Sequence, residues 1–196
     1  MDTDGPISGT VLDGTSADID WTNSTSSLTV TWSGFSDTLS GIQKYEYAIG
    51  SNSGGTDVVD WTNNNTDTSV TKTGLTLTNG TTYYLSIRAA DNVGNVSTIV
   101  TSDGITVDTD VPIISSVIEG SSTADIDYQN SDTTLIIVWA GSDAASGIAQ
   151  YEYALGTAAT ASNTVAWTSA GMATADTLTG LSLIEDSTYY LSLIHI

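Results

Sequence analysis

The sequence predicts an all-β protein made of two consecutive antiparallel β-sandwiches, and three observations support this fold class. Apolar and polar residues alternate in short runs, as expected for strands that bury one face. Clusters of Gly, Asn, Asp and Ser separate these runs, where tight turns are expected. The complete pattern then occurs a second time within the 196 residues. No segment shows a sustained helical period, so helices are not expected.

The second half of the chain repeats the first at a nearly constant spacing of about 106 residues. The matched pairs include Asp2–Ile7 and Asp108–Ile113, Trp32 and Trp139, Tyr45–Gly50 and Tyr151–Gly156, Trp61 and Trp167, and Thr82–Ser86 and Thr188–Ser192. A register kept along the whole chain indicates two homologous modules, which we place at residues 1–107 and 108–196.

The second module is predicted to be incomplete. After Ser192, the counterpart of Ser86, only Leu193–Ile196 remain, and these four residues do not match their counterparts. Nothing matches residues 91–107 of the first module. We therefore expect a fragment that starts at a module boundary and lacks the last strand of its second module. We interpret the Leu193–Ile196 tail as foreign to the native sequence.

Period-two alternation identifies the buried face of each strand. Successive side chains of a strand point to opposite faces, so every second residue shares one face. The predicted core positions of the first module are Leu28, Val30, Trp32, Tyr45, Tyr47, Ile49, Tyr83, Leu85, Ile87 and Ala89. Leu135, Ile137 and Trp139 repeat the first three. Each module is thus expected to bury one Trp, several Tyr and a set of aliphatic side chains between two sheets.

A longer motif gives the modules a family resemblance. Gly74–Leu75, Leu77 and Tyr83–Asn95 together resemble the signature of bacterial fibronectin type III domains, and Trp32 matches the buried Trp of their second strand. Leu77 and Tyr83 resemble the tyrosine corner of that family, and Leu183 and Tyr189 repeat the pair. The resemblance implies two tandem fibronectin type III-like (immunoglobulin-like) antiparallel sandwiches, the second truncated at its C-terminal strand. It also implies that each corner hydroxyl hydrogen-bonds to the backbone.

This fold hosts many roles, so the resemblance implies a class of function and no single ligand. Bacterial domains of this type occur in large secreted or surface proteins, including adhesins and polysaccharide-degrading enzymes. We expect an extracellular or cell-surface spacer repeat whose partners are the neighbouring repeats of the same chain. The alternative is an accessory module that binds a glycan or a surface protein and is attached to an extracellular polysaccharide-degrading enzyme.

The charge excludes several classes of partner. The chain has 23 acidic and three basic residues and a net charge of −20. Such a polyanion repels nucleic acid and anionic membrane surfaces. No run of about 20 apolar residues is present, so we expect no membrane insertion. An acidic surface either attracts divalent cations or serves solvation alone, and the sequence leaves both readings open.

Catalytic groups are scarce. The chain has no Cys, and its single His lies in the tail that we consider foreign. A Ser without a neighbouring base is a weak nucleophile, and the carboxylates fall mostly in predicted turns. We therefore expect no enzymatic activity within this chain.

Calcium is the one cofactor that the sequence suggests. Asp108 and Asp110 lie at the module junction, and Asp91 and Asn92 lie in a loop that we expect to point the same way. Calcium takes six to eight oxygen ligands, of which carboxylates at alternating positions can supply several. The alternative is that Asp-Thr-Asp before Pro112 forms a polar turn.

A second acidic pair recurs in the two modules. Asp18 and Asp20 return as Asp125 and Asp127. Their period-two spacing predicts that each pair shares one strand face, where solvation is the simpler explanation.

Trp61 and Trp167 are the candidate carbohydrate-binding residues. Each lies in a polar stretch at the same position of its module. An exposed aromatic ring can stack on a sugar ring, whereas a ring at the edge of a sandwich covers the core. Both interpretations remain open from the sequence.

Overall fold

The computed structural model describes residues 1–121 and 124–195, and all regular elements in these residues are β-strands. The all-β prediction is therefore confirmed. The chain divides into two compact units, the first formed by Met1–Thr109 and the second starting at Asp110. Within the described ranges, no helix is long and apolar enough to cross a membrane.

The first unit contains two sheets. Its strands are β1 (Thr10–Asp13), β2 (Trp21–Thr22), β3 (Ser27–Ser33), β4 (Ile42–Gly50), β5 (Val59–Asn63), β6 (Ser69–Thr73), β7 (Thr82–Asp91), β8 (Val100–Thr101) and β9 (Ile105–Val107). One sheet has the order β1-β3-β6. The other has the order β2-β9-β7-β4-β5, with β8 also paired to β7.

One pairing differs from the antiparallel prediction. β2 runs parallel to β9, and the other strand pairs of the first unit are antiparallel. The Thr106 N–H donates to the Asp20 carbonyl (2.8 Å), and the Asp108 N–H donates to the Thr22 carbonyl (2.8 Å). A two-residue strand is too short to show an alternating pattern, so its direction was not readable from the sequence.

The predicted core lies between the two sheets. Leu28, Val30 and Trp32 on β3 are buried, whereas the intervening Thr29 and Thr31 remain partly accessible. They form one cluster with buried residues of β4, β7 and β9. The Trp32 ring meets the edge of Tyr45 with ring centroids 5.6 Å apart. Burial of each large apolar side chain stabilises the unit by about 1.5–3 kcal/mol, which makes the alternation the main determinant of the fold.

The tyrosine corner is present in both units. The Tyr83 hydroxyl accepts a hydrogen bond from the Thr78 N–H at 2.9 Å. In the second unit, the Tyr189 hydroxyl accepts one from the Ile184 N–H, also at 2.9 Å. The hydrogen bond to the backbone that the resemblance implies is confirmed.

The second unit has the same plan. Its strands are β10 (Ile113–Ser121), β11 (Ala124–Asp125), β12 (Thr134–Ser142), β13 (Tyr151–Gly156), β14 (Val165–Gly171), β15 (Ala175–Thr179) and β16 (Tyr190–His195). The sheets have the orders β11-β10-β12-β15 and β14-β13-β16. Trp139 is buried in the core of this unit, as Trp32 is in the first.

Most of the tail takes part in the second sheet. β16 pairs with β13 so that Tyr151 faces His195, just as Tyr45 faces Ala89 in the first unit. Strands equivalent to β8 and β9 do not occur among the described residues of the second unit. Ile196, the last residue of the tail, lies outside the described residues.

Candidate functional site

Two groups of three carboxylates stand out in the first unit. One consists of Asp2, Asp37 and Asp91, and the other of Asp13, Asp18 and Asp103. In each group, one carboxylate oxygen from every member lies within 4.8 Å of the others. Like charges at this separation repel one another, so each group is a place where hydrogen bonds or a cation must offset the repulsion.

In the first group, the loop after β7 satisfies Asp91. Its Oδ1 accepts the backbone N–H groups of Val93 (2.9 Å), Gly94 (2.7 Å) and Asn95 (2.8 Å). Its Oδ2 accepts the Asn95 side-chain amide at 2.7 Å. Burial alone would raise the pKa of Asp91, but these hydrogen bonds outweigh it and hold the pKa below its usual value. Asp91 thus organises its own turn.

Asp37 has a similar role in the loop after β3. Its Oδ1 accepts the N–H groups of Leu39 (3.2 Å), Ser40 (2.8 Å) and Gly41 (2.7 Å). The second unit repeats this arrangement, since Asp143 Oδ1 accepts the N–H groups of residues 145 (3.1 Å) and 147 (2.8 Å). Two members of the first group are therefore used by their own loops.

The structure separates the residues that the sequence grouped as calcium ligands. Asp91 ends β7, whereas Asp108 follows β9, which pairs with the start of β7 at Thr82. A strand of ten residues spans about 30 Å. The expectation that Asp91 and Asn92 point toward Asp108 is therefore wrong, because these residues and Asp108 lie near opposite ends of strand β7. Calcium binding by Asp108 and Asp110 stays a prediction.

Asn92 also has other partners. Its side-chain amide donates to the carbonyl oxygens of Ser40 (2.7 Å) and Gly41 (3.2 Å). This residue therefore joins two loops at the end of the first unit where Asp91 lies.

The second group is built around a fully buried acid. Asp13 ends β1 and has an exposed fraction of 0%. Its Oδ2 accepts the Gly104 N–H at 3.1 Å, but its buried Oδ1 has no hydrogen-bond partner. Burial raises the pKa of Asp13 to about 6, against the opposing influence of the nearby Ser102 hydroxyl and the Gly104 N–H.

Asp18 and Asp103 complete the second group from two exposed loops. Asp18 Oδ1 accepts the Asp13 N–H at 2.8 Å, and Asp103 lies between β8 and β9. Asp18 and Asp20 lie in the loop before β2, so the prediction that they share one strand face is wrong. Sequence reasoning also missed Asp13, although an acid on the inward face of a strand, two residues after Val11, was the available signal.

Trp61 is covered on one face by a cation. The Arg88 guanidinium lies 4.3 Å from the centroid of the Trp61 ring. Glu46 holds that guanidinium at 2.7 Å and also accepts the Lys44 ammonium at 2.6 Å. Two of the three basic residues of the chain thus meet at one carboxylate. The stacked guanidinium covers one of the two ring faces on which a sugar could stack.

Trp167 differs from Trp61 in its surroundings. It lies on β14 with 40% of its surface exposed. The sequence of the second unit contains no Lys or Arg, so no guanidinium of that unit stacks on this ring. Trp167 is therefore the more accessible of the two candidate platforms.

The first unit also has a shallow pocket of about 270 Å³. Its lining includes Gly14, Thr15, Ala17, Thr22, Leu28 and Ile105. No carboxylate, imidazole or amine is part of this lining, so the pocket offers no group for acid–base chemistry.

No family model and no curated protein matches this sequence. Among solved structures, the chain resembles the chicken CNTN1 FN1–FN3 domains, with a TM-score of 0.53 and 15% sequence identity. The match covers 97% of this chain and 60% of that chain, so the present chain spans less than two thirds of the structure that it matches. At this identity the likeness shows the fold alone, and it confirms the fibronectin type III-like β-sandwich class.

Proposed function

From this fibronectin type III-like fold, we propose that the chain is a non-catalytic spacer repeat of a large secreted or surface-anchored bacterial protein. Its role would lie in cell adhesion or extracellular display. Domains of this fold are generally non-catalytic and typically extracellular. A net charge of −20 also suits a solvated segment that must not collapse onto anionic surfaces.

The observation that carries the proposal is that the features shared by the two units are structural ones. Both units bury a Trp against the edge of a Tyr, with centroid distances of 5.6 Å in the first unit and 6.0 Å in the second. Both also have the tyrosine corner. In both units an Asp carboxylate accepts backbone N–H groups of its own loop, which is Asp37 after β3 and Asp143 after β12. These contacts maintain a fold and leave the outer surface free to vary.

The features suited to ligand binding differ between the units. Arg88 stacks on Trp61 in the first unit, whereas the sequence of the second unit contains no Lys or Arg. A duplicated binding site would be expected in both copies, whereas a duplicated spacer needs only a duplicated core.

A glycan-binding assay tests the proposal. We expect the full chain to show no saturable binding to a panel of plant, fungal and bacterial polysaccharides in affinity gels and on glycan arrays. Saturable binding that is lost in Trp167→Ala and kept in Tyr128→Ala would contradict the spacer role. Tyr128 is the matched control because it is an aromatic residue of the same unit with 93% exposure.

The second candidate function is the accessory carbohydrate-binding module. The accessible ring of Trp167 favours it, since no guanidinium competes for that ring. In the first unit, Arg88→Ala would uncover Trp61 and should then increase glycan binding if this second function holds.

A further inference from the structure

We propose that Asp13, Asp18 and Asp103 form a calcium-binding site that links the first strand of the first unit to the segment between β8 and β9. This inference goes beyond a spacer role, because it assigns a ligand and a place for it. It also differs from the calcium site at the module junction that the sequence suggests, since none of its three residues belongs to that set.

The unpartnered oxygen of Asp13 is the main evidence. Asp13 is fully buried, and its Oδ1 has no hydrogen-bond partner. Buried polar atoms are nearly always paired, because an unpaired one loses its hydration without compensation. The carboxylate of Asp13 faces two further carboxylates in the same group. A cation between them would satisfy the orphan oxygen and remove the repulsion at once.

The spacing of the oxygens fits calcium. The three carboxylate oxygens lie within 4.8 Å of one another. Ligand oxygens around a single Ca²⁺ lie 2.3–2.6 Å from the ion, so two of them are at most about 5 Å apart. The group contains only hard oxygen donors, and the chain has no Cys. These donors favour Ca²⁺ over Zn²⁺ or other thiophilic metals.

The protein already positions two of the three ligands. The Asp13 N–H holds Asp18 through Oδ1 at 2.8 Å, and the Gly104 N–H holds Asp13 through Oδ2 at 3.1 Å. In the Asp2, Asp37 and Asp91 group, Asp2 Oδ2 is also a buried oxygen without a hydrogen-bond partner, but Asp2 as a whole is only half-buried. The buried member of that group, Asp91, uses both of its oxygens within its own loop. The group around Asp13 is therefore the better cation site.

The site would connect the two sheets. Asp13 ends β1, which belongs to the sheet β1-β3-β6. Asp103 lies between β8 and β9, which belong to the sheet around β7 and β4. A cation shared by these residues would fasten the edge strand β1 to the segment between β8 and β9, two strands that both pair with β7.

The second unit repeats half of the arrangement. The Glu119 N–H donates to Asp125 Oδ1 at 3.1 Å, as the Asp13 N–H does to Asp18. Burial raises the pKa of Glu119, and the neighbouring Asp125 raises it further. The position equivalent to Asp103 lies beyond Ile196, so the comparison between the units covers only the paired acids. The same pairing in both copies indicates that the fold itself holds these carboxylates close together.

Calcium titration of the full chain, followed by NMR and calorimetry, tests this assignment. We expect saturable binding with a dissociation constant of about 10⁻⁴–10⁻³ M, as for other extracellular calcium modules. The backbone amide signals of Asp13 and Gly104 should shift along the same binding curve. Asp18→Asn and Asp103→Asn should each weaken the binding seen by these two amides at least tenfold.

Asp20→Asn is the matched control. It removes one charge from the same loop but does not belong to the group, so its binding should remain within twofold of the parent chain. In Asp18→Asn, the side-chain amide oxygen can still accept the Asp13 N–H. Asp18 and Asp103 are both exposed, so the two variants should fold. Calcium-free thermal unfolding of each variant checks this point.

Two outcomes would overturn the assignment. One is that the amide signals of Asp13 and Gly104 do not shift even at calcium concentrations 10-fold above the expected range of dissociation constants. The other is equal weakening by Asp18→Asn and Asp20→Asn, which would mean diffuse attraction by the acidic surface. If calcium bound only to the Asp2, Asp37 and Asp91 group, the Gly104 amide signal would not shift. Asp37→Asn would then abolish the calcium binding.

Discussion

Tyr83 shows how a single hydroxyl supports the packing of a whole corner. Its ring is 5% exposed, and its oxygen is the acceptor for the Thr78 N–H at 2.9 Å. The sequence motif alone predicted this bond, because Leu77 and Tyr83 keep the spacing of a known corner. The same motif predicted the bond at Tyr189.

Tyr83→Phe should destabilise the first unit by about 0.5–1.5 kcal/mol, because it removes the acceptor of a part-buried backbone N–H. For a unit of this size each kcal/mol lowers the unfolding midpoint by about 4–8 °C. Thermal unfolding followed by circular dichroism measures the shift. Tyr84→Phe is the control, since Tyr84 is the adjacent residue on the opposite face of β7. Equal midpoints for the two variants would show that the hydroxyl of Tyr83 adds nothing.

Glu46 is a residue whose ionisation should stabilise the first unit, because its pKa is lowered in the folded state. The hydrogen bond from Lys44 is the largest influence that lowers its pKa, burial opposes it, and Arg88 lowers the pKa further. The folded pKa lies below the unfolded one of about 4.3. The stabilisation by Glu46 is therefore complete above the unfolded pKa and is lost as the pH falls through the folded pKa.

We expect Glu46→Gln to lower the free energy of unfolding by about 1 kcal/mol at pH 7 and to have little effect near pH 2. Urea unfolding as a function of pH measures this difference. The control is Glu152→Gln, the same position of the second unit, where Gln150 is the side-chain partner. A constant difference between Glu46→Gln and the parent chain from pH 2 to pH 7 would refute the role of the ion pairs.

At the scale of the elements, alternation predicted the long strands and failed for the short ones. Leu28, Val30 and Trp32 were assigned to the core correctly because β3 is long enough for one face to be apolar throughout. β2 has two residues and carries no pattern. The burial of Asp13 depends on Gly104, which is 91 residues away in sequence. Contacts of this kind arise only when the sheets have come together.

The short break between β8 and β9 provides a test at this scale. Gly104 has φ +109°, and a Cβ there would lie 2.7 Å from Thr82 Cγ2 and 2.8 Å from Tyr84 Cε1. Gly104→Ala should therefore cost more than about 1 kcal/mol, because strain and overlap add. Gly94→Ala is the control, with φ +99° and open space around its Cβ. Urea unfolding in the presence of chelator measures both, and a smaller loss at Gly104 than at Gly94 would contradict the steric argument.

At the scale of the whole molecule, charge is the dominant feature. Repulsion among 23 acidic residues, opposed by only three basic ones, destabilises the compact state at low ionic strength. We expect the unfolding midpoint to rise by several degrees as NaCl screens this repulsion, over the range in which the Debye length falls from about 30 Å to 8 Å. The rise should be smaller at pH 4, where many carboxylates are protonated. A midpoint that falls with salt at pH 7 would show that attractive pairs dominate.

The parallel pairing of β2 with β9 has a mechanical consequence. Two hydrogen bonds, from Thr106 to Asp20 and from Asp108 to Thr22, join a segment near the start of the unit to its last strand. When the chain is pulled at both ends of the unit, parallel strands are drawn past each other along their length. Both bonds then bear the load together and do not open one after the other. A repeat built in this way would resist tension up to a threshold and then extend abruptly.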